Sequence, residues 1–162
     1  MSYNKKNGKL IIISGPSGSG KTTLVKHLLK SDLDLVFSIS SCSREKRKNE
    51  KDGVDYHFLS IKVFKEKIAS GDFLEWEEVY DNNFYGTLKS EVINKINLGH
   101  NVIFDIDVMG AKSLKKIFTN QAFSIYIQAP SIDSISKRLS SRKTESEHQI
   151  SFRVNKAKHE EK

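Results

Sequence analysis

The chain has 162 residues, of which 37% are hydrophobic and 29% are charged, and this size allows one hydrophobic core with a small inserted lobe. No run approaches the roughly 18 apolar residues that cross a bilayer, and residues 1–9 hold no apolar segment of signal type. We therefore expect a cytoplasmic protein with no membrane partner. Cys42 is the single cysteine, which excludes an internal disulfide.

Basic residues are in excess, with 27 Lys and Arg against 20 Asp and Glu and a formal net charge of +7. The excess lies in separate clusters with acidic residues between them, and the sequence carries no pattern typical of a DNA- or RNA-binding module. We expect no nucleic-acid partner. Phosphorylated small molecules account for part of the charge, and the rest is predicted to be solvated surface.

A glycine-rich loop directly follows the first predicted strand, residues 10–13. Its sequence is typical of a P-loop, in which the backbone N–H groups of a tight turn point at phosphate oxygens. Lys21 supplies positive charge for the outer phosphates, and the Thr22 hydroxyl is available to Mg²⁺ at the start of the next helix. The pattern predicts nucleotide binding by Gly15, Pro16, Ser17, Gly18, Ser19, Gly20, Lys21, Thr22 and Thr23.

The middle of the chain combines short predicted strands with polar turns. Residues 61–70 have a helical pattern with Ser60 as the N-cap, and Gly71 is placed to end that helix. Residues 81–83 are typical of a turn. The elements predicted up to residue 100 are helices at 21–30, 61–70 and 89–98, and strands at 35–40, 56–59 and 73–80.

A second buried strand, residues 101–107, ends in two carboxylates, Asp105 and Asp107. In a parallel sheet they lie at the carboxyl edge, where ligands bind, so each is a candidate to hold Mg²⁺ or to position a substrate. Downstream we predict a helix at 110–118, a strand at 123–127, an amphipathic helix at 131–142 and a last helix from about 146. Because the apolar pattern of the last helix is still in step near Lys162, we expect the chain to be cut short.

The alternation of strands and helices predicts an α/β fold with a mostly parallel sheet and helices on both faces. Residues 37–90 depart from this alternation, since they hold short strands and polar turns. We expect them to form a lobe inserted between the two halves of the core.

Five segments resemble, in order, those of the guanylate kinases, which are P-loop nucleoside monophosphate kinases. They are the P-loop, Asp52-Gly53-Val54-Asp55-Tyr56-His57-Phe58, Gly71-Asp72-Phe73-Leu74-Glu75-Trp76, Tyr85-Gly86-Thr87 and Asp105-Ile106-Asp107-Val108. The resemblance implies transfer of the γ-phosphoryl group of MgATP to GMP or dGMP, giving ADP and GDP or dGDP. It also implies a P-loop core at 1–36 and 91–130, a GMP-binding lobe at 37–90, a helical lid at 131–155 and a truncated return helix at 156–162. We expect the C-terminal strand and helix of the family to be missing from this arrangement.

The resemblance also implies roles for particular side chains. Glu75 is expected to recognise guanine, because the N1–H and N2–H₂ groups of guanine both donate to a carboxylate and adenine has no such pair. The residues implied for GMP are Ser40, Arg44, Arg47, Tyr56, Glu75, Tyr85, Thr87, Asp105 and Asp107; for Mg²⁺, Thr22 and Asp105, partly through water; and for catalysis, Lys21, Arg138, Arg142 and Arg153. Which aspartate serves Mg²⁺ and which serves GMP stays open.

Little proton chemistry is expected, because the acceptor oxygen belongs to a phosphate that is largely dianionic at pH 7. None of the five histidines lies in a catalytic pattern. Catalysis is expected to come from alignment of the two nucleotides and from cations on the transferring group.

Two alternatives stay open, together with the oligomeric state. One is a guanylate-kinase-like protein-interaction module, against which the intact P-loop argues. The other is a P-loop kinase for a different phosphorylated acceptor, against which Glu75 argues. The chain departs from the family pattern at residues 45–49, at Met109 and at Lys143.

Overall fold

The structure is a computed structural model that describes residues 8–141 and 147–160. Its core is a four-stranded sheet in which every pairing is parallel, with the strand order β2-β7-β1-β8. These strands are β1 (Leu10–Ser14), β2 (Leu35–Phe37), β7 (Asn101–Asp105) and β8 (Ala122–Tyr126). The α/β fold with a parallel sheet, predicted from the alternation of elements, is confirmed.

Helices cover both faces of the core sheet, because side chains along a strand alternate between its faces. Ile12 belongs to a buried cluster with residues of α3 and α4, whereas the next residue, Ile13, packs with Val25 of α1 on the other side. The helices are α1 (Lys21–Leu28), α2 (Ile61–Ala69), α3 (Lys89–Asn97), α4 (Val108–Phe118), α5 (Ile132–Ser141) and α6 (Glu147–Glu160).

A second sheet has the strand order β4-β3-β6-β5 and is mainly antiparallel. Its strands are β3 (Ser41–Cys42), β4 (His57–Phe58), β5 (Phe73–Tyr80) and β6 (Asn83–Leu88). It has its own apolar cluster, in which the ring of Phe64 from α2 stacks on Phe73 and Phe84. This sheet and α2 lie within the segment predicted to be inserted.

The prediction for this second sheet was incomplete, because β6 was not recognised as a strand. Strand β6 pairs along its length with β5 across a tight turn in which Asn82 has a φ of 56°. Gly86 sits so close to β5 that an added Cβ would lie 2.8 Å from the Glu75 carbonyl oxygen. Its glycine and polar residues do not alternate as a strand pattern does, and pairing with β5 overrides that weak local preference.

Several predicted bounds also shift. The strand predicted at 101–107 ends at Asp105, because the Asp107 side chain accepts a hydrogen bond from Gly110 N at 2.8 Å and caps α4. Strand β2 ends at Phe37 rather than at residue 40, and α1 ends at Leu28 rather than at residue 30. Among the described residues, no helix is long and apolar enough to span a membrane.

Candidate active site

A cavity of about 920 Å³ lies where the core sheet, the second sheet and helix α6 meet. The P-loop residues Lys21 and Thr22 line it on the core side, and Glu75 and Tyr85 line it on the side of the second sheet. Arg153 of α6 also lines it. Residues from both halves of the predicted site therefore face one common space.

The P-loop has the geometry that its glycines require. Gly15 has a φ of 139°, and a Cβ at this position would lie 2.3 Å from the Ile127 carbonyl oxygen, so only glycine fits. Gly20 has a φ of 107° and is the N-cap of α1. Lys21 Nζ donates to the carbonyl oxygens of Gly15 at 2.6 Å and Pro16 at 2.9 Å. Its charge is held over the loop, at the N-terminus of a helix suited to anions.

Thr22 and Asp105 meet at the carboxyl edge of the core sheet. The Thr22 hydroxyl donates to Asp105 Oδ2 at 2.5 Å, although the two residues are 83 positions apart. A hydroxyl and a carboxylate oxygen are ligands that Mg²⁺ prefers. The chemistry of this pair therefore suits a magnesium ion.

Asp107 has different partners from Asp105. Its Oδ1 caps α4, and its Oδ2 accepts from Lys156 Nζ of α6 at 3.2 Å. The same ammonium donates to Glu77 Oε1 of β5 at 2.7 Å. Burial, together with the neighbouring Asp107 carboxylate, raises the pKa of Glu77 to about 7, against the opposing effect of the Lys156 ammonium. One ammonium group thus bridges two carboxylates.

Glu75 lies on β5 and lines the cavity. The Thr87 hydroxyl, from the paired strand β6, donates to Glu75 Oε1 at 2.5 Å. A Cβ added to Gly110 would lie 2.9 Å from Glu75 Oε2, so this glycine leaves room for the carboxylate. Burial raises the pKa of Glu75 to about 7, against the opposing effect of the Thr87 hydroxyl. Such a carboxylate is well suited to accept hydrogen bonds from a ligand.

Arg44 lines the cavity, and its guanidinium contacts several side chains. Its two terminal nitrogens donate to the two carboxylate oxygens of Glu50, each at 2.6 Å. Its Nε donates to the Tyr85 hydroxyl at 3.1 Å, and its guanidinium carbon lies 5.0 Å from the centre of the Tyr56 ring. Desolvation lowers the pKa of Arg44, but the hydrogen bonds with Glu50 outweigh this effect and raise it. The guanidinium is a rigid fork of the kind that binds phosphate.

Two arginines approach from the C-terminal helices. Arg138 of α5 donates through one nitrogen to the carbonyl oxygens of Gly18 and Ser19, both at 3.1 Å. Helix α5 itself packs against α6 through Ile135, Leu139 and Ala157. The two helices therefore bring Arg138 onto the P-loop and Arg153 to the cavity wall.

Comparisons with known proteins agree on one family. A family model described as guanylate kinase matches residues 7–162. The chain is 49% identical over 152 residues to a guanylate kinase of Bacteroides fragilis, covering 94% of this chain and 74% of that protein. It is 44% identical over 153 residues to a guanylate kinase of Thermotoga maritima, covering 94% and 73%. The chain belongs to the guanylate kinase family.

A solved structure of a guanylate kinase also matches the fold. The crystal structure of the enzyme from Anaplasma phagocytophilum has a TM-score of 0.72 and 26% sequence identity, and the match covers 96% of this chain and 73% of that one. The membership predicted from the five motifs is therefore confirmed, as is the kinase fold.

Most of the site residues predicted from the P-loop pattern and from the resemblance to guanylate kinases line the cavity. Four do not line it: Pro16, Ser19, Thr87 and Arg138. Thr87 and Arg138 still contact residues that do, namely Glu75 and Gly18. Arg142 lies outside the described residues. The predicted residues that line the cavity are Gly15, Ser17, Gly18, Gly20, Lys21, Thr22, Thr23, Ser40, Arg44, Arg47, Tyr56, Glu75, Tyr85, Asp105, Asp107 and Arg153.

Three residues with polar contacts in this guanylate kinase site were missed by the sequence analysis: Glu50, Glu77 and Lys156. Glu77 follows Glu75 by two positions on a strand, and Lys156 follows Arg153 by three on a helix, so periodicity alone indicates that each shares a face with a predicted residue. Glu50 had no such signal. Its contact with Arg44 depends on how the loop between them folds.

Proposed function

We propose that this chain transfers the γ-phosphoryl group of ATP to GMP or dGMP, giving ADP and GDP or dGDP. The observation that carries the proposal is that the P-loop and Glu75, which accepts a hydrogen bond from Thr87, line one cavity. This arrangement supports the binding of two nucleotides with their phosphates toward each other. Guanine offers two neighbouring donors to a carboxylate, which matches the free acceptor capacity of Glu75.

The acceptor phosphate is proposed to bind Arg44 and Arg47 together with the hydroxyls of Tyr56 and Tyr85. All four residues line the cavity on the side of the second sheet. Glu50 occupies the fork of Arg44 with its two carboxylate oxygens, as a phosphate does with two of its oxygens. Binding of GMP therefore exchanges one anion for another at this guanidinium.

On the donor side, the P-loop is proposed to hold the ATP phosphates, with Lys21 moving from the loop carbonyls onto the outer phosphates. Thr22 and Asp105 are proposed to hold Mg²⁺, and Asp107, which caps α4 and contacts Lys156, is proposed to serve the GMP side. When bound, the ion offsets phosphate charge. Arg138, Arg142 and Arg153 are proposed to add charge from the lid, and alignment and these cations provide catalysis without a general base.

We also propose the division into a core at 1–36 and 91–130, a GMP-binding lobe at 37–90, a lid at 131–155 and a return helix from 156. Separate clusters of buried apolar side chains support the division into core, lobe and lid, whereas helix α6 (Glu147–Glu160) runs without a break across the boundary at 155/156. One lies in the second sheet around Phe64, one lies between α5 and α6 around Ile135, and two flank the core sheet.

A coupled assay of ADP release tests the proposed reaction. The chain is incubated with MgATP and, in turn, with GMP, dGMP, AMP, UMP or dCMP. We expect turnover with GMP and dGMP at kcat/KM values at least about 100-fold above those for the other acceptors, because a buried carboxylate without its partners is costly. Equal values for GMP and AMP would contradict the role of Glu75, and absence of turnover with every acceptor would favour an interaction module.

A further inference from the structure

Lys156 of α6 connects three parts of the molecule through one ammonium group. It donates to Glu77 on β5 and to Asp107 at the N-terminus of α4, at 2.7 and 3.2 Å. About a quarter to a third of each of the three side chains is exposed, with values of 27% for Lys156, 32% for Glu77 and 29% for Asp107. These contacts tie helix α6 to the second sheet and to the edge of the core.

The connection lies next to the proposed guanine-recognition group. Glu75 and Glu77 are two positions apart on β5, so their side chains project from the same face of the sheet. The pairing of β5 with β6 is irregular on both sides of this stretch, between Phe73 and Glu75 and again between Glu78 and Tyr80. The hydrogen bond from Lys156 to Glu77 therefore restrains this part of β5 in addition to the backbone hydrogen bonds with β6.

Asp107 connects to Glu75 from the other direction. Gly110, whose N–H the Asp107 carboxylate caps, is the residue over which the Glu75 carboxylate lies. The negative charge of Asp107 acts directly on Glu75, and the Lys156 ammonium lies against Asp107. The ammonium thus offsets a charge that otherwise repels the Glu75 carboxylate.

We propose that Lys156 is a positioning residue for guanine recognition: by bridging Glu77 and Asp107 it fixes the Glu75 carboxylate where the base binds, and it couples this position to helix α6. The inference rests on the proposed function, since it concerns how the same site selects its acceptor. Lys156 itself needs no contact with either nucleotide in this role.

The test compares GMP with IMP, which has the N1–H donor of guanine but lacks the 2-amino group. A Glu75 carboxylate fixed next to the base distinguishes GMP from IMP, and a displaced carboxylate distinguishes them less well. The variants are Lys156→Met, Lys156→Arg, Glu77→Gln and the double variant Lys156→Met/Glu77→Gln, with Lys158→Met as the matched control. Lys158 is an exposed lysine on the same helix. GMP binding is measured by calorimetry without ATP, and KM and kcat are measured for GMP, IMP and ATP.

We expect Lys156→Met to raise the Kd and KM for GMP about tenfold and to reduce the preference for GMP over IMP by a similar factor, with kcat and the KM for ATP changed less than about twofold. Glu77→Gln should act in the same direction, and the double variant should be little worse than Lys156→Met, because both changes break one bridge. Lys156→Arg should keep part of the preference, and Lys158→Met should match the parent.

Five results would overturn the inference. One is an unchanged GMP-to-IMP preference in Lys156→Met and Glu77→Gln, and another is additive effects in the double variant. The third is an equal loss of affinity for ATP and GMP, which indicates a general structural role. If the parent chain binds no GMP, the proposed function fails as well. If the parent prefers GMP and Glu75→Gln abolishes this preference while Lys156→Met does not, only the inference about Lys156 fails.

Discussion

The two halves of the site differ in whether the backbone or the side chains form most of the structure. On the donor side the backbone forms most of the structure: three glycines of the P-loop have positive φ angles, and Lys21 rests on loop carbonyl oxygens. On the acceptor side, side chains hold one another, as Thr87 holds Glu75 and Glu50 holds Arg44. In the proposed function, the backbone cradle binds the phosphates of one nucleotide without selecting its base, whereas the paired side chains select the base of the other. The comparison indicates that changes on the donor side affect turnover with every acceptor, and changes on the acceptor side affect selection.

The largest effect is expected on the donor side. Lys21→Ala removes the compact charge that moves onto the phosphates, so we expect kcat to fall by at least about 1,000-fold with every acceptor and the fold to stay intact. Steady-state kinetics and circular dichroism measure the two properties. The control is Lys26→Ala, at an exposed position of the same helix. A kcat near that of the parent would contradict the role given to Lys21.

On the acceptor side, Glu75→Gln keeps the size of the side chain but replaces one acceptor oxygen by a donor amide. We expect kcat/KM for GMP to fall about 100-fold or more, while kcat/KM for AMP stays the same or rises, because the unpaired carboxylate no longer penalises adenine. The ratio of the two constants is the measurement. Thr87→Val, which removes only the supporting hydroxyl, should lower the same ratio by a smaller factor. A proportional loss for both acceptors would make Glu75 a general structural residue.

A smaller effect is expected at the phosphate-binding arginine. Arg44→Lys keeps the charge but loses the planar fork, so we expect the KM for GMP to rise about tenfold, with little change in the KM for ATP. Kinetics with each substrate varied in turn measure this difference. An equal rise in both constants would show that Arg44 does not act on the acceptor side alone.

The smallest effect concerns stability and its dependence on pH. The pKa of Glu75 rises from 4.5 to about 7 on folding, so between these values the native state binds more protons than the unfolded state. The free energy of unfolding therefore loses a contribution from Glu75 as the pH rises through this range. Glu75→Gln removes the loss, and we expect it to stabilise the unliganded chain by about 1–3 kcal/mol at pH 8 and by close to nothing at pH 4.

Denaturant titrations of the parent and Glu75→Gln at the two pH values measure this difference. Stabilisation at pH 8 together with loss of GMP selection is the combination expected of a group kept for function. A variant less stable than the parent at pH 8 would show that the carboxylate stabilises the unliganded fold.

The contrast between the two halves also explains how far sequence could predict the molecule. The P-loop was predicted in full, because its glycines, its lysine and the preceding apolar strand are contiguous and the backbone conformation follows from them. The parallel core followed from buried runs such as residues 101–105. The fold and the family could therefore be predicted from the sequence alone.

The rest depended on contacts between residues distant in the chain. Strand β6 was missed because its pairing with β5, rather than its own pattern, makes it a strand. Glu50 was missed because a loop brings it to Arg44, and Lys156 because α6 lies against β5 only in the folded molecule. The residues proposed to contact the base were predicted, and so was Thr87, which donates to Glu75. Glu50 and Lys156, which contact Arg44 and Asp107, were not predicted.

The most direct measurement is a crystal structure of the chain with GMP and a non-hydrolysable ATP analogue bound. The account predicts the Glu75 carboxylate oxygens within about 3 Å of guanine N1 and N2, and the analogue's phosphates on the P-loop with Lys21 moved onto them. A Glu75 carboxylate pointing to solvent, with the base held by other groups, would contradict the assignment of the acceptor.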